Sequence, residues 1–121
     1  MELIVFDLDG TLLNRKSMIS DYTSETLKLL SKRNIAYTVA TGRMLHGARA
    51  ILEGHRFNLP HVYKNGVMIW HPEQRSYSSS TTLTPQELDN IVRACKKHQV
   101  TPFIFTLDKD QNSTVYHSVL Q

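Results

Sequence analysis

The order of apolar and polar positions divides the first part of the chain into alternating strands and helices. An apolar run at residues 2–6 predicts a strand that is buried on both faces, as in a parallel sheet, and residues 35–40 predict a second strand. A helical pattern follows each strand, and the first helix begins at Ser20 or Asp21. Because parallel neighbours need a crossover connection, we expect both strands in one sheet with their carboxyl ends at the same edge.

Further elements follow from the same pattern. The first helix is expected to carry Leu27 and Leu30 inward, to end near Arg33 and to be closed by Asn34 in a left-handed conformation. The later predicted elements are a helix with Leu45, Ala48 and Leu52 on one face, a strand at 61–64, a hairpin turn at Asn65-Gly66, a strand at 76–82, a helix opened by the capping box Thr84-Pro85-Gln86-Glu87, and strands at 102–107 and 113–119. Cys95 falls on the apolar face of the last helix, which predicts a core position.

A change of pattern near Trp70 to Pro72 predicts a boundary between two domains. Residues 1–70 are expected to form a partial α/β core with a parallel sheet, and residues 71–121 an α+β piece. Each piece is small for an independent hydrophobic core.

Composition and charge narrow the classes of protein to which the chain can belong. Its 121 residues carry a formal net charge of +3, but the 14 basic residues are scattered, which disfavours a nucleic-acid partner. The longest early apolar run is far shorter than the roughly 18 residues that span a bilayer, so we expect a cytoplasmic protein with no membrane partner. The single cysteine gives neither a disulfide nor a thiolate cluster, and the six histidines show no metal-ligand spacing.

Polar side chains suited to phosphate chemistry follow both strands of the predicted parallel sheet. Asp7 and Asp9 come after the first strand and Thr41 after the second, at the edge where open α/β sheets bind their ligands. The two carboxylates would repel each other, and a divalent cation such as Mg²⁺ would relieve this repulsion and allow a phosphate to bind beside them. One carboxylate can attack phosphorus while the other transfers a proton. Gly10 permits close backbone approach, and the Thr41 hydroxyl can donate to a phosphoryl oxygen.

Simpler interpretations of the same residues stay open at this point. Asp-x-Asp-Gly after a strand is also the pattern of a polar turn, and Thr41-Gly42 is also the pattern of a helix cap. A calcium-binding loop fits less well, because Thr11 stands where a further acidic or amide ligand is needed. Arg43 suits a phosphate site, but its side chain can instead pair with an acidic residue.

Two motifs together resemble those of a known family. The segment Phe6-Asp7-Leu8-Asp9-Gly10-Thr11-Leu12 resembles the first motif of the haloacid dehalogenase (HAD) superfamily, and Ala40-Thr41-Gly42-Arg43 resembles the second. With Asn65-Gly66 after the third strand, the chain is most similar to the Cof-type phosphatases, which carry an α/β cap inserted after that region. The resemblance implies a partial HAD-like, Rossmann-like parallel sheet followed by the start of an α+β cap domain.

The resemblance also implies a reaction and a role for each motif residue. In this family the first aspartate is the nucleophile and the second is the general acid and base, which gives these roles to Asp7 and Asp9. Mg²⁺ would be held by the Asp7 carboxylate and the Asp9 backbone carbonyl. The phosphoryl group would be bound by Thr41. From their positions beside these motif residues, we also expect Gly42, Gly10 and Arg43 to bind phosphate. The implied substrates are small phosphate monoesters such as sugar phosphates, hydrolysed through an aspartyl-phosphate.

The later motifs of the family, a lysine and a Gly-Asp pair that follow the cap, have no match here, since Lys64 and Lys109 stand in other contexts. The first hypothesis is therefore a truncated or interrupted phosphatase chain whose hydrolytic function belongs to the full-length arrangement. The second is a catalytically inactive module that associates with itself or needs a complementary polypeptide. Because the family places the first strand centrally, this strand would become an apolar edge, so we expect a homodimer or aggregates.

Overall fold

Two compact units make up the chain, and the computed structural model describes residues 2–110 and 112–117. The first unit, Met1–Thr81, contains β1 (Leu3–Phe6), α1 (Asp21–Lys32), β2 (Ala36–Val39), α2 (Leu45–Leu52), β3 (His61–Tyr63), β4 (Met68–His71) and β5 (Ser76–Ser80). The second unit, Thr82–Gln121, contains α3 (Pro85–Lys97), β6 (Phe103–Leu107) and β7 (Ser113–His117). The predicted α/β class is confirmed. Within the described residues, no helix combines the length and the apolar content needed to cross a membrane.

β1 and β2 pair in parallel, as the sequence predicted. Their register sets Phe6 opposite Val39, and a parallel bridge joins Ala40 to Val62 of β3. The residues that follow these three strands therefore leave the strands at the same edge. This edge carries the polar motifs.

The first helix begins and ends as the sequence predicted. The Ser20 side chain accepts a hydrogen bond from the Thr23 N–H at 3.2 Å, which satisfies one of the free donors of the first turn. Asn34 has a φ of 57°, the left-handed conformation expected after a helix end. The buried Leu27 side chain anchors the helix in the core of the first unit.

The prediction that the first strand is buried on both faces is wrong. Leu3 and Val5 are 55% and 51% exposed, while Ile4 and Phe6 on the other face are half-buried. In the described part of the chain, β1 pairs only with β2, so its other edge has no partner strand. β1 is therefore an open edge with apolar side chains.

β3, β4 and β5 form an antiparallel sheet in chain order. The hairpin predicted at Asn65-Gly66 is confirmed, but residues 64–67 join its strands instead of a two-residue turn. β5 pairs with β4 and so belongs to the first unit. The compact unit therefore ends later than the boundary predicted near residue 70, and the assignment of residues 71–121 to a cap domain stays a prediction.

The second unit consists of α3 and the antiparallel hairpin of β6 and β7. The predicted capping box is confirmed, because the Glu87 N–H donates to Thr84 Oγ1 at 3.2 Å and the Thr84 N–H donates to Glu87 Oε2 at 2.9 Å. No residue of α3 is buried and Cys95 is only half-buried, so the predicted core position of Cys95 is wrong. One helix and one hairpin offer too little surface to cover an apolar face. Residues 118–119 of the last predicted strand lie outside the described residues.

Candidate active site

The chain leaves β1 through a tight turn that exposes two carboxylates. Leu8 is fully buried beneath this turn, and the Leu12 N–H donates to the Asp7 carbonyl at 3.2 Å. Asp7 and Asp9 stand on either side of Leu8 in the sequence, and both are exposed. The Thr11 hydroxyl donates to Asp7 Oδ2 at 3.3 Å. The burial of one apolar side chain thus leaves both carboxylates accessible at the sheet edge.

Gly10 gives this turn its shape. Its φ is 76°, in the left-handed region, where most residues with a Cβ cost about 1–2 kcal/mol. No atom lies within 4 Å of the position that a Cβ would occupy, so the described chain does not require the close backbone approach that the sequence suggested. The conformation of the turn explains the glycine, and its phosphate-binding role stays a prediction.

Thr41 is buried at the end of β2 and is held by backbone hydrogen bonds on both sides. Its N–H donates to the Val62 carbonyl at 3.0 Å, and its side-chain oxygen accepts from the Arg43 N–H at 3.1 Å. α2 begins only at Leu45, after Met44 at the cap position. The interpretation of Thr41 as a helix cap is therefore wrong, and Thr41 instead shapes a short loop before the helix.

Asn65 also joins this loop. The sequence placed it in a turn and in the family resemblance but assigned it no role at the site. The Asn65 N–H donates to the Thr41 carbonyl at 3.0 Å, and the Lys64 N–H donates to the Arg43 carbonyl at 3.1 Å. A Cβ on Gly42 would lie 3.2 Å from Asn65 Oδ1, so the missing side chain makes room for the amide. The parallel placement of a third strand was the signal that could have identified Asn65.

Arg43 and Asp9 form a bidentate ion pair across the edge. Arg43 Nε donates to Asp9 Oδ2 at 2.8 Å, and Nη2 donates to Oδ1 at 2.7 Å. The third arm of the guanidinium, Nη1, donates to the Gly47 carbonyl at 2.7 Å. The hydrogen bonds from Arg43 lower the pKa of Asp9, and the same contact raises the pKa of Arg43. Of the two roles left open for Arg43, the structure shows the pairing with an acidic residue.

The sequence model of the haloacid dehalogenase-like hydrolases matches residues 4–118. The chain belongs to this family. The Cof-type phosphatase resemblance of the motifs is confirmed, and the chain corresponds to the N-terminal part of the family. Hydrolase activity is thus assigned at the level of the family.

Relatives of this HAD-family chain include phosphatases. The 5-amino-6-(5-phospho-D-ribitylamino)uracil phosphatase YwtE of Bacillus subtilis is 37% identical over 87 residues, which cover 72% of this chain and 29% of that protein. The HMP-PP phosphatase of an Enterobacter species is 30% identical over 103 residues, which cover 85% of this chain and 38% of that protein. A haloacid dehalogenase-like hydrolase structure from Bacteroides thetaiotaomicron superimposes with a TM-score of 0.68 at 31% identity, covering 88% and 41% of the two chains. The chain thus spans less than half the length of each of these proteins.

The oxygen donors of the HAD-family turn suit a hard divalent cation. Mg²⁺ is often held by one or two carboxylates together with water and substrate oxygens. Asp7 supplies an exposed carboxylate, and both carboxylate oxygens of Asp9 accept a hydrogen bond from Arg43. In residues 2–110 and 112–117, no three His, Cys, Asp or Glu side chains converge on one point. The exposed Asp7 carboxylate is an oxygen donor of the kind that Mg²⁺ binds, and it would supply one of the ligands.

Proposed function

We propose that this chain carries the nucleophile, the general acid and base, and the phosphate-binding loop of a magnesium-dependent phosphatase. One arrangement supports the proposal above all. The turn after β1 and the loop after β2 meet at one sheet edge, where Asp9 and Arg43 are in contact. The phosphatase names of the relatives support the reaction class.

Asp7 is the proposed nucleophile and Asp9 the proposed acid and base. An oxygen of the Asp7 carboxylate forms a bond to phosphorus as the bond from phosphorus to the leaving oxygen breaks, which gives an aspartyl-phosphate. Asp9 donates a proton to the departing oxygen and then takes a proton from the water that attacks the aspartyl-phosphate. Phosphate is released and the Asp7 carboxylate is restored. The exposure of Asp7 supports this assignment.

The loop after β2 is proposed to bind the phosphoryl group. The Thr41 side-chain oxygen accepts from the Arg43 N–H, so its own proton can be donated to a phosphoryl oxygen. Arg43 would exchange its contact with Asp9 for one with the phosphoryl group, which would also allow Asp9 to take up a proton. Gly42 and Gly10 would let the two loops approach the same anion with their backbones.

Mg²⁺ is the proposed cofactor, held by the Asp7 carboxylate and the Asp9 backbone carbonyl. When bound, it would offset the negative charges of the phosphoryl group and the attacking carboxylate. Small phosphate monoesters such as sugar phosphates are the proposed substrates, and the cytoplasm is the proposed compartment. The names of the relatives support a small phosphorylated substrate without specifying one.

The test is Mg²⁺-dependent phosphate release from 4-nitrophenyl phosphate by the purified chain and by its Asp7→Asn variant. We expect the variant to lose activity by at least about a hundred-fold, because the nucleophile is removed. Asp21→Asn, which neutralises another exposed aspartate in the same unit, is the matched control and should keep its activity. Equal activity of the chain and the Asp7 variant would overturn the role of Asp7.

The second candidate function is an inactive module that needs a complementary polypeptide. The exposed apolar side chains of Leu3 and Val5 on the open edge of β1 favour it. If neither the chain nor its Asp7→Asn variant releases phosphate while both are folded by circular dichroism, this second function is the better one.

A further inference from the structure

A pocket lies in the first unit, and none of its lining residues belongs to the candidate active site. It has a volume of about 290 Å³ and is lined by α2, the segment that follows α2, β3, β4 and the turn between β4 and β5. This volume is at the lower end of the range for ligand pockets and suits a ligand of one or two rings.

Three arginines line this pocket, which we call the arginine pocket. They are Arg49 on α2, Arg56 in the following segment and Arg75 in the turn between β4 and β5. Glu53 is the only acidic residue in the lining. Across the residues that the structure describes, none of the three arginines forms an ion pair with a carboxylate. The pocket therefore carries an excess of positive charge, which an anion would offset.

An aromatic residue holds one of these arginines in place. The Arg49 guanidinium carbon lies 5.9 Å from the centroid of the Trp70 ring, within the range of a cation–π contact. Trp70 is itself held by an edge-on contact with Tyr77, with ring centroids 4.9 Å apart. A guanidinium fixed over an aromatic ring presents a flat cationic surface on which another planar group can stack.

His61 and Tyr63 also line the pocket, and they are hydrogen-bonded to each other. His61 Nε2 lies 2.8 Å from the Phe57 carbonyl, so this nitrogen must donate. His61 Nδ1 lies 2.8 Å from the Tyr63 hydroxyl and accepts its proton when the ring is neutral, the form that burial favours by lowering the pKa of His61. These buried polar groups already have hydrogen-bond partners within the protein. The guanidinium groups therefore determine which charge a ligand of the pocket should carry.

We propose that the arginine pocket binds a small organic oxyanion with a flat apolar body, such as an aromatic carboxylate or phosphonate. The anionic group would pair with the arginines, and the flat body would stack on the guanidinium of Arg49 beside Trp70. The proposal does not depend on phosphatase activity, because no residue of the candidate active site lines this pocket.

The test uses the indole N–H resonance of Trp70, the only tryptophan of the chain, as a local reporter in NMR titrations. Benzoate and phenylphosphonate are the probes, since they share the flat body and differ in the oxyanion. Benzamide supplies the body without charge, and acetate the charge without the body. We expect roughly millimolar affinity for both aromatic anions, the level usual for ligands of this size. Benzamide and acetate should bind at least about ten-fold more weakly.

Arg49→Gln and Arg75→Gln should each lower the affinity for both aromatic anions by about ten-fold. Arg15→Gln removes an exposed charge outside the pocket and should leave the affinity unchanged, as should Asp7→Asn. Binding of phenylphosphonate alone would assign the pocket to phosphorus oxyanions, and binding of benzoate alone to carboxylates. The proposal is overturned if benzamide binds as well as benzoate, if Arg15→Gln weakens binding as much as Arg49→Gln, or if neither anion shifts the Trp70 resonance of the folded chain.

Discussion

The contact between Arg43 and Asp9 sets the charge of the side chain that the proposed mechanism uses as a proton donor. Three hydrogen bonds of 2.7–2.8 Å hold the guanidinium, two to Asp9 and one to the Gly47 carbonyl. A bidentate pair stabilises the ionised carboxylate, which is why the pKa of Asp9 is lowered. A general acid must instead carry a proton when the leaving group departs. In the proposed mechanism the observed pair is therefore the resting state, and a phosphoryl group that attracts Arg43 would raise the pKa of Asp9.

Arg43→Gln should raise the pKa of the Asp9 carboxyl group toward that of a free aspartate, about 3.9, because the cationic donor is lost. The measurement is an NMR titration of the Asp9 carboxyl carbon, assigned by comparison with Asp9→Asn. Arg15→Gln should leave this pKa unchanged. The interpretation of the pair fails if the pKa of Asp9 is the same in the Arg43 variant as in the parent chain.

Acid unfolding gives a second readout of the same pair. Because the folded chain lowers the pKa of Asp9, the pair stabilises the fold above the pKa of the unfolded aspartate, and this contribution is lost as the pH falls through the lower, folded value. The free energy of unfolding of Arg43→Gln, measured with urea at several pH values, should therefore depend less on pH in this acidic range. The Arg15 variant should follow the parent chain.

At the scale of single elements, replacing glycine by alanine should have opposite effects on stability in the turn after β1 and in α2. Gly10→Ala should destabilise the chain by about 1–2 kcal/mol, because the φ of Gly10 is 76°. Gly47→Ala should stabilise it by about 0.5–1 kcal/mol, because Gly47 is helical and a Cβ there would meet only Arg43 Nη1, at 3.9 Å. Urea denaturation of both variants measures the difference. Equal effects of the two substitutions would show that conformation does not explain Gly10.

The sequence predicted elements well where one local rule decides, and poorly where a neighbour decides. The caps at Ser20 and Thr84 follow from local hydrogen bonding, and both are present. An apolar run such as residues 2–6 is compatible with a strand covered on one face or on both. The predicted burial of β1 on both faces was therefore wrong. β5 has few apolar side chains, and only its pairing with β4 assigns it to the first unit.

In the candidate site, too, the sequence predicted what a simple rule decides and missed what depends on neighbouring elements. The shared sheet edge of Asp7 and Thr41 follows from parallel pairing, which the alternation of strands and helices predicted. The pairing of Arg43 with Asp9 depends on how two loops fold toward each other, so the sequence left the role of Arg43 open. The packing of Asn65 against Gly42 depends on a third strand beside β2, which the sequence placed only as part of a hairpin.

At the scale of the whole molecule, the open edge of β1 is the feature that links the fold to association. Unpaired N–H and C=O groups along an edge strand form a template for another strand, and exposed apolar side chains strengthen the contact. Leu3 and Val5 are both more than half exposed on β1. Hydrophobic burial and strand pairing then favour the same contact, so we expect a second copy of the chain to pair along β1.

Light scattering over a range of concentrations tests this expectation. The parent chain should show a mass above that of the monomer, rising with concentration, and Val5→Lys should restore the monomer because a charge on an edge strand opposes pairing. Tyr22→Lys is the matched control, since it places the same charge on α1 at a side chain that is 85% exposed, and it should associate like the parent chain. A parent chain that stays monomeric at high concentration would show that the open edge of β1 does not drive association. Association lost equally in both lysine variants would instead assign the effect to net charge, because the two substitutions add the same charge at different elements.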